Sequence, residues 1–161
     1  MNPAIVQLLS RYHFATTERL LDCAAKIDDA AYRAPSIYNE RSIHQVFHHL
    51  LQVSRSWRIA LETGSQPAAL DPDDTTTIDA LRDTFAAERD AWAAQLGALD
   101  DAAVDADVTV KSQRFPEPWT LPRWRPIVQV ILHGMQHHSE IAQALTLAGQ
   151  SPGNIDMIFF E

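Results

Sequence analysis

Four long stretches of the chain repeat apolar side chains at helical spacing, and this pattern constrains the fold more than any other feature. The clearest begins near Ser42 and ends at Gly64. Its apolar residues lie three and four positions apart, at Ile43, Val46, Phe47, Leu50, Val53, Trp57 and Leu61. Such spacing predicts a helix that buries one face. The other three predicted helices run from Asn2 or Pro3 to Ile27, from Thr77 to Leu99, and from Pro122 or Arg123 to Ala148.

The segment before the last predicted helix, DADVTVKSQRFPEPWTLPRW, differs in character from the rest of the chain. Alternation at residues 108–110 predicts a short strand or extended loop. Pro116, Pro118 and Pro122 exclude a continuous helix. Four helices with one long irregular crossover predict an all-α, four-helix bundle. We expect one domain over residues 1–161, with the C-terminal QSPGNIDMIFFE folded back onto the bundle.

Composition excludes several classes of function. The net charge is −8, so the basic surface that binds nucleic acid is not expected. The N-terminus lacks the features of a signal peptide, and no uninterrupted apolar run is long enough for a membrane span. The single cysteine, Cys23, fits a reducing compartment and a small buried side chain. We therefore expect a cytoplasmic protein that binds neither nucleic acid nor membrane.

Three of the seven histidines lie in the stretch LHGMQHHSEIAQAL of the last predicted helix. His133 and His137 are four residues apart and share an apolar stripe with Val130 and Ile141, so both imidazoles are expected to point inward. Two histidines at this spacing can offer two nitrogens to one metal ion. His138 lies about 100° further around the helix, outside that pair.

The second predicted helix contains three more histidines, and helical phase separates them. His44 and His48 lie on its polar side, whereas His49 lies on the same side as Val46 and Val53, at the margin of the buried face. An interior histidine is more often a hydrogen-bonded core residue than a ligand. A third inward imidazole on another helix leaves two alternatives, a set of hydrogen-bonded core histidines or a metal site with the candidate ligands His49, His133 and His137.

Two motifs resemble the DinB/YfiT-like superfamily of metal-dependent proteins. SIHQVFHHLLQVSRSW resembles its second helix, with His49 eight residues before Trp57, and HGMQHHSEIAQALTLAGQSPGNIDMIFF resembles its fourth helix. The resemblance covers both ends of the bundle and implies up-down-down-up topology, a zinc or nickel ion on three histidines, and a homodimer. His138 and Glu140 depart from the common arginine and glutamine of the family. We expect these two departures to change either the hydrogen bonds that the ligand histidines make to other residues or the rim of the pocket.

The resemblance implies little about substrate, and several functions stay open. An open three-histidine site suits a hydrolase or a thiol-dependent S-transferase acting on a small molecule, for which a low-molecular-weight thiol is one candidate. A non-catalytic ligand-binding or stress-response protein is the alternative, and a di-iron carrier is disfavoured because no Glu-x-x-His pair occurs. No catalytic residue is identified. Glu140 is either a hydrogen-bond partner of His137 or a solvated charge.

The irregular crossover suggests where a substrate would enter. Trp119 and Trp124 flank it and either line a pocket mouth or pack against the core. Arg123 and Arg125 lie beside them, where they would meet an anionic substrate or pair with surface carboxylates.

Overall fold

Six α-helices and two β-strands form from the residues that the computed structural model describes, which are 1–36, 40–112 and 116–160. In chain order they are α1 (Pro3–Ala24), α2 (Asp29–Arg33), α3 (Ile43–Thr63), α4 (Ile78–Gly97), α5 (Asp101–Asp105), β1 (Asp107–Val110), β2 (Trp119–Pro122) and α6 (Trp124–Leu147). The predominantly helical class is confirmed. None of the helices in these ranges has an apolar stretch of the length that a bilayer requires.

Local capping signals set the ends of the long helices close to where the sequence predicts them. The Ser42 side chain accepts from the Gln45 backbone N–H, and the Gln45 side chain accepts from the Ser42 backbone N–H, which makes a capping box for α3. Gly64 ends α3 with a φ of 77°, a left-handed conformation that glycine adopts without strain. The Thr77 side chain caps α4. Because α3 begins and ends on strong signals, the phase of its histidines is well defined.

The predicted first helix is too long at its C-terminal end. It ends at Ala24 rather than Ile27, and Asp28 caps the separate short helix α2 by accepting from the Ala31 backbone N–H. The local hydrogen bond of an aspartate at an N-cap competes successfully with continuation of the helix. The apolar pattern of this helix includes Ile5 and predicts that it is buried, but Ile5 is exposed, whereas its neighbour Val6 is fully buried. The buried face of α1 is therefore rotated by one residue at its start.

The four long helices surround a common apolar core. α1 packs against α4 and α6, and α3 packs against the same two helices. The largest fully buried apolar side chains come from all four: Leu20, Leu21, Phe47, Leu51, Leu81, Leu96, Ile127, Ile141 and Leu145. The contact between α3 and α6 carries the functional argument, since the predicted ligands lie on these helices. The up-down-down-up order stays a prediction.

The crossover contains a small antiparallel sheet that the all-α prediction did not include. β1 pairs with β2, and Val110 lies opposite Trp119. Lys111 joins this hairpin to the end of α3, since its N–H donates to the Gly64 carbonyl and its own carbonyl accepts from the Gln66 N–H, both at 2.9 Å. The strand at 108–110 is confirmed, but its partner was missed because Pro118 and Pro122 obscure it; Pro122 lies at the strand's end, where proline is tolerated.

The C-terminal segment folds back as predicted, and it does so onto α1. The Tyr12 hydroxyl donates to the Ile155 carbonyl at 2.6 Å, and Arg19 donates to the Asn154 carbonyl at 2.9 Å. Cys23 is buried in α1, in agreement with its predicted role as a small packing residue.

Candidate metal centre

Helices α3 and α6 bring His49, His133 and His137 together. Each of the three offers one ring nitrogen, and these nitrogens all lie within 4.8 Å of one another. His133 and His137 are one helical turn apart on α6, so their side chains lie on one face, while His49 approaches from the facing helix α3. His137 is buried and the other two are half-buried. The structure thus gathers the three residues that helical phase selected, one of them 84 positions from its neighbour.

The three imidazoles converge in a way that fits a metal ion. The Nε2 atoms of His49 and His133 are 3.0 Å apart. Two nitrogens at adjacent tetrahedral positions around zinc would be separated by about 3.3 Å, given Zn–N bonds of roughly 2.0–2.1 Å. The Nε2 atom of His137 is buried and has no hydrogen-bond partner among the described residues. A buried nitrogen without a partner is costly, and coordination of a cation would satisfy it.

Glu140 holds the ring of His137 from behind. Nδ1–H of His137 donates to Oε2 of Glu140 at 2.7 Å, three residues further along α6. With its proton on Nδ1, a neutral imidazole carries its lone pair on Nε2, the atom that points into the cluster. Metal-binding histidines commonly have a carboxylate in this position. Of the two interpretations that the sequence left open for Glu140, the structure supports the hydrogen-bond partner.

The electrostatic surroundings keep His133 neutral. Burial lowers the pKa of His133 below its ordinary value, and the neighbouring His137 and Arg41 lower it further, while Glu140 opposes them. A neutral imidazole has a free lone pair, so a metal ion need not displace a proton from His133 at neutral pH. The donor set, three imidazoles with no thiolate, suits zinc, nickel or copper better than magnesium or calcium.

The remaining histidines of α3 face away from the cluster, as their phase predicted. His44 Nε2–H donates to the Thr75 carbonyl at 2.7 Å, and His48 Nδ1 hydrogen-bonds to the Thr75 hydroxyl at 2.7 Å. Thr75 is itself fully buried in the connection between α3 and α4. These two histidines therefore anchor a turn.

His138 is buried in the core, which excludes the pocket rim, one of the two alternatives that the resemblance left open for it. Its ring stacks on that of His13 from α1, with centroids 5.0 Å apart, and its Nε2 hydrogen-bonds to the Thr17 hydroxyl at 2.8 Å. Burial lowers the pKa of His13 to about 4, assisted by His133, and holds the pKa of His138 well below its ordinary value. Two faces of α6 are interior, because α3 packs on one and α1 on the other.

The sequence did not point to His13, although Gly134 supplies a signal in hindsight. A β-carbon at Gly134 would lie 2.3 Å from the Cε1 and Nδ1 atoms of His13. A glycine in the middle of a helix is unfavourable unless another group needs the space. Here the space is filled by the His13 ring, and Gly134 follows the candidate ligand His133 directly in the chain.

A cavity of about 330 Å³ opens beside the cluster and reaches it at His49. Its walls include Gln52 and Trp57 of α3, which follow His49 at helical spacing, and Trp119 of β2. The volume falls in the range of roughly 300–1,000 Å³ that small-molecule sites occupy. Trp57 was assigned to the core, whereas it also lines this cavity.

Two of the four residues that the sequence singled out around the crossover, Trp119 and Arg125, line a second cavity. This cavity adjoins the first and shares Trp57 and Trp119 with it. Arg123 instead donates to the carbonyls of Ala103 and Leu61, at 3.1 and 3.2 Å, and so ties the start of α6 to its surroundings.

Comparisons with known proteins identify the family and the fold. The sequence profile of the DinB superfamily matches residues 14–141. The structure resembles the crystal structure of a DinB-like protein, YjoA from Bacillus subtilis, with a TM-score of 0.62 and 15% sequence identity, over 89% of this chain and 92% of that one. A search of curated protein sequences found no match to this chain.

Proposed function

The chain belongs to the DinB superfamily, and from this premise we propose that it binds one divalent metal ion through His49, His133 and His137. The observation that carries the proposal is the convergence of three imidazoles in which the buried Nε2 of His137 has no other partner among the described residues. Zinc and nickel are the preferred candidates, because neutral imidazoles suit both ions.

The site is suited to catalysis as well as to binding. Three neutral ligands leave a coordination position open and leave the charge of the ion uncompensated. When bound, such an ion supplies Lewis acidity toward a water molecule or a thiol. Glu140 keeps the His137 proton on Nδ1, and the cavity at His49 admits a small molecule to the open side. We propose a metal-dependent enzyme acting on a small molecule, as a hydrolase or as a thiol-dependent S-transferase.

The alternative function is a non-catalytic, metal-dependent ligand-binding or stress-response protein. The same open site and cavity would serve it, with the ion holding a ligand that is not converted. We also propose a homodimer, as the sequence resemblance implies. Exposed apolar side chains, including Leu132 and Leu147 on α6, are compatible with such an interface.

Metal uptake by the unmodified chain tests the proposal directly. Untagged protein, stripped with a chelator and titrated with zinc or nickel in separate experiments, is expected to bind one ion per chain. Binding should also raise the temperature of unfolding, because the ion favours the folded state. Elemental analysis and differential scanning calorimetry measure the two effects. A chain that binds less than a tenth of an ion at saturating zinc and nickel would contradict the proposal.

Turnover separates the enzymatic candidates from the binding protein. The metal-loaded protein is incubated with low-molecular-weight thiols and an electrophile, and separately with ester and amide substrates. Metal-dependent loss of thiol supports the S-transferase, and metal-dependent hydrolysis supports the hydrolase. Metal binding with neither reaction supports the alternative function.

The hydrogen bond from His137 to Glu140 makes a second prediction about the site. Replacing Glu140 by alanine is expected to lower zinc affinity by about 10- to 100-fold, because the imidazole loses the group that sets its proton and orientation. Glu140→Gln is the matched control, since its amide oxygen can still accept from Nδ1–H, and it is expected to keep most of the affinity. Competition with a fluorescent zinc chelator measures both. Equal losses in the two variants, or none in Glu140→Ala, would show that the hydrogen bond has no such role.

A further inference from the structure

The cavity at His49 adjoins a larger one, and we call the two together the cleft. The inner cavity measures about 330 Å³ and the outer one about 640 Å³. Trp57 from α3 and Trp119 from β2 line both, so the two indoles stand at the boundary that the cavities share. The cleft thus has His49, at the proposed metal, in its inner part, two aromatic side chains at the boundary, and Arg125 at the start of α6 in its outer part.

The described residues that line this cleft include no carboxylate. The inner cavity carries uncharged hydrogen-bonding groups, among them Gln52, Ser56 and Gln66, and the outer cavity carries Thr120 and Gln129. Arg125 is the one permanently charged side chain among them. The lining therefore carries no negative charge, although the chain as a whole has a net charge of −8. Its electrostatic potential is set by the guanidinium at one end and by any bound cation at the other.

Arg125 has no carboxylate partner within the described residues, and of the arginines that share this property it is the one that lines the cleft. Arg58 pairs with the buried Glu88, and Arg82 pairs with Glu18. Arg125 is exposed, makes no such pair, and opens onto the outer cavity. An unpaired guanidinium at the edge of a cavity offers a planar set of donors that matches a carboxylate or a phosphate.

We infer that the substrate of the proposed metal site is an elongated organic anion, bound with its reacting group at His49 and its negative charge at Arg125. This inference rests on the proposed function for the role of His49. The anion site rests separately on the position of Arg125 in the wall of the outer cavity. The body of the ligand lies against Trp57 and Trp119, which supply apolar and aromatic contact. The amide groups of Gln52 and Gln66 select uncharged polar groups near the reacting end.

Two probes that differ in charge and hardly in shape test the anion site. These are 3-phenylpropionate and its primary amide, titrated into ¹⁵N-labelled, metal-free protein, where the carboxylate cannot bind a metal ion. Affinities are read from the indole N–H resonances, which Trp57→Phe and Trp119→Phe variants identify. The carboxylate is expected to bind about tenfold more tightly than the amide, a factor that corresponds to about 1.4 kcal/mol.

Arg125→Gln is expected to abolish this preference for the carboxylate. Arg89→Gln is the matched control, because it makes the same change in net charge at an exposed arginine that pairs with Asp90 on α4. It should keep the preference. Equal affinities of the wild type for the two probes, no binding of either up to its solubility limit, or a preference that survives Arg125→Gln would overturn the inference.

Zinc binding is measured on the same three proteins, so that the two proposals can fail separately. Zinc uptake by all three, without a preference for the carboxylate, would leave the metal site and reject the anion site. A preference without zinc uptake would leave the anion site and reject the metal site, and with it the assigned position of the reacting group.

Discussion

Replacing His137 by alanine is expected to lower the zinc affinity of the chain by more than about 100-fold. Loss of a carboxylate behind a ligand already costs about 10- to 100-fold, and loss of the ligand itself removes a metal–nitrogen bond. His137 is also the most deeply buried of the three, with only 5% of its surface exposed, so water replaces its nitrogen poorly. Competition titration and elemental analysis of untagged protein measure the effect. The same loss is expected for His49→Ala and His133→Ala.

The neighbouring histidines of α3 provide the controls for this prediction. His48→Ala removes an imidazole adjacent in sequence to His49, and His44→Ala removes the imidazole four residues before His48. In the wild type, both of these side chains contact Thr75 rather than the cluster. Both variants are expected to bind zinc as the wild type does, although loss of the Thr75 contacts should lower their stability. Full zinc occupancy in His137→Ala, or loss of zinc in His48→Ala alone, would contradict the assignment of ligands.

Gly134→Ala is expected to destabilise the protein although it adds a single methyl group. The added carbon would lie 2.3 Å from two ring atoms of His13, which is fully enclosed between α1 and α6 and cannot turn aside freely. Overpacking of this kind costs about 1–3 kcal/mol in the free energy of unfolding. For a domain of this size the midpoint of thermal unfolding should fall by roughly 2–12 °C. Chemical and thermal denaturation of the metal-free protein measure the two quantities.

Two further variants distinguish this clash from a general effect of alanine in a helix. Gly97 ends α4, and a β-carbon built there has no neighbour within 4 Å, so Gly97→Ala is expected to be neutral or stabilising. In the double variant Gly134→Ala with His13→Ala, the obstructing ring is absent and the two effects should not add. Stability equal to the wild type in Gly134→Ala would show that α1 and α6 separate easily at this point.

Sequence and structure agree best where the cause is local. The long helices could be predicted because periodic apolar residues and caps such as Ser42 and Thr77 act within a few positions. The same periodicity separated His49 from His48, since adjacent residues on a helix differ by about 100° in direction. The end of α1 was misplaced because Asp28 forms a local cap that the apolar pattern does not reveal.

Features that depend on contacts between distant segments could not be predicted from the local sequence pattern. His138 was set aside correctly as out of phase with the pair, but its burial required α1 to cover a second face of α6. Trp119 was ambiguous until β2 paired with β1 and placed its indole beside Trp57. Glu140 had two interpretations, and the observed hydrogen bond to His137 decided between them.

The sequence by itself determined where the four long helices lie and which imidazoles share a helix face, because both follow from interactions between positions three or four apart. Only the tertiary structure decided that the faces of α3 and α6 meet, that His13 fills the space beside Gly134, and that Arg125 rather than Arg123 opens onto the cleft. These outcomes depend on how the long helices pack around their common core. Packing joins residues as far apart as His49 and His133, and no local pattern encodes which of the possible faces come into contact.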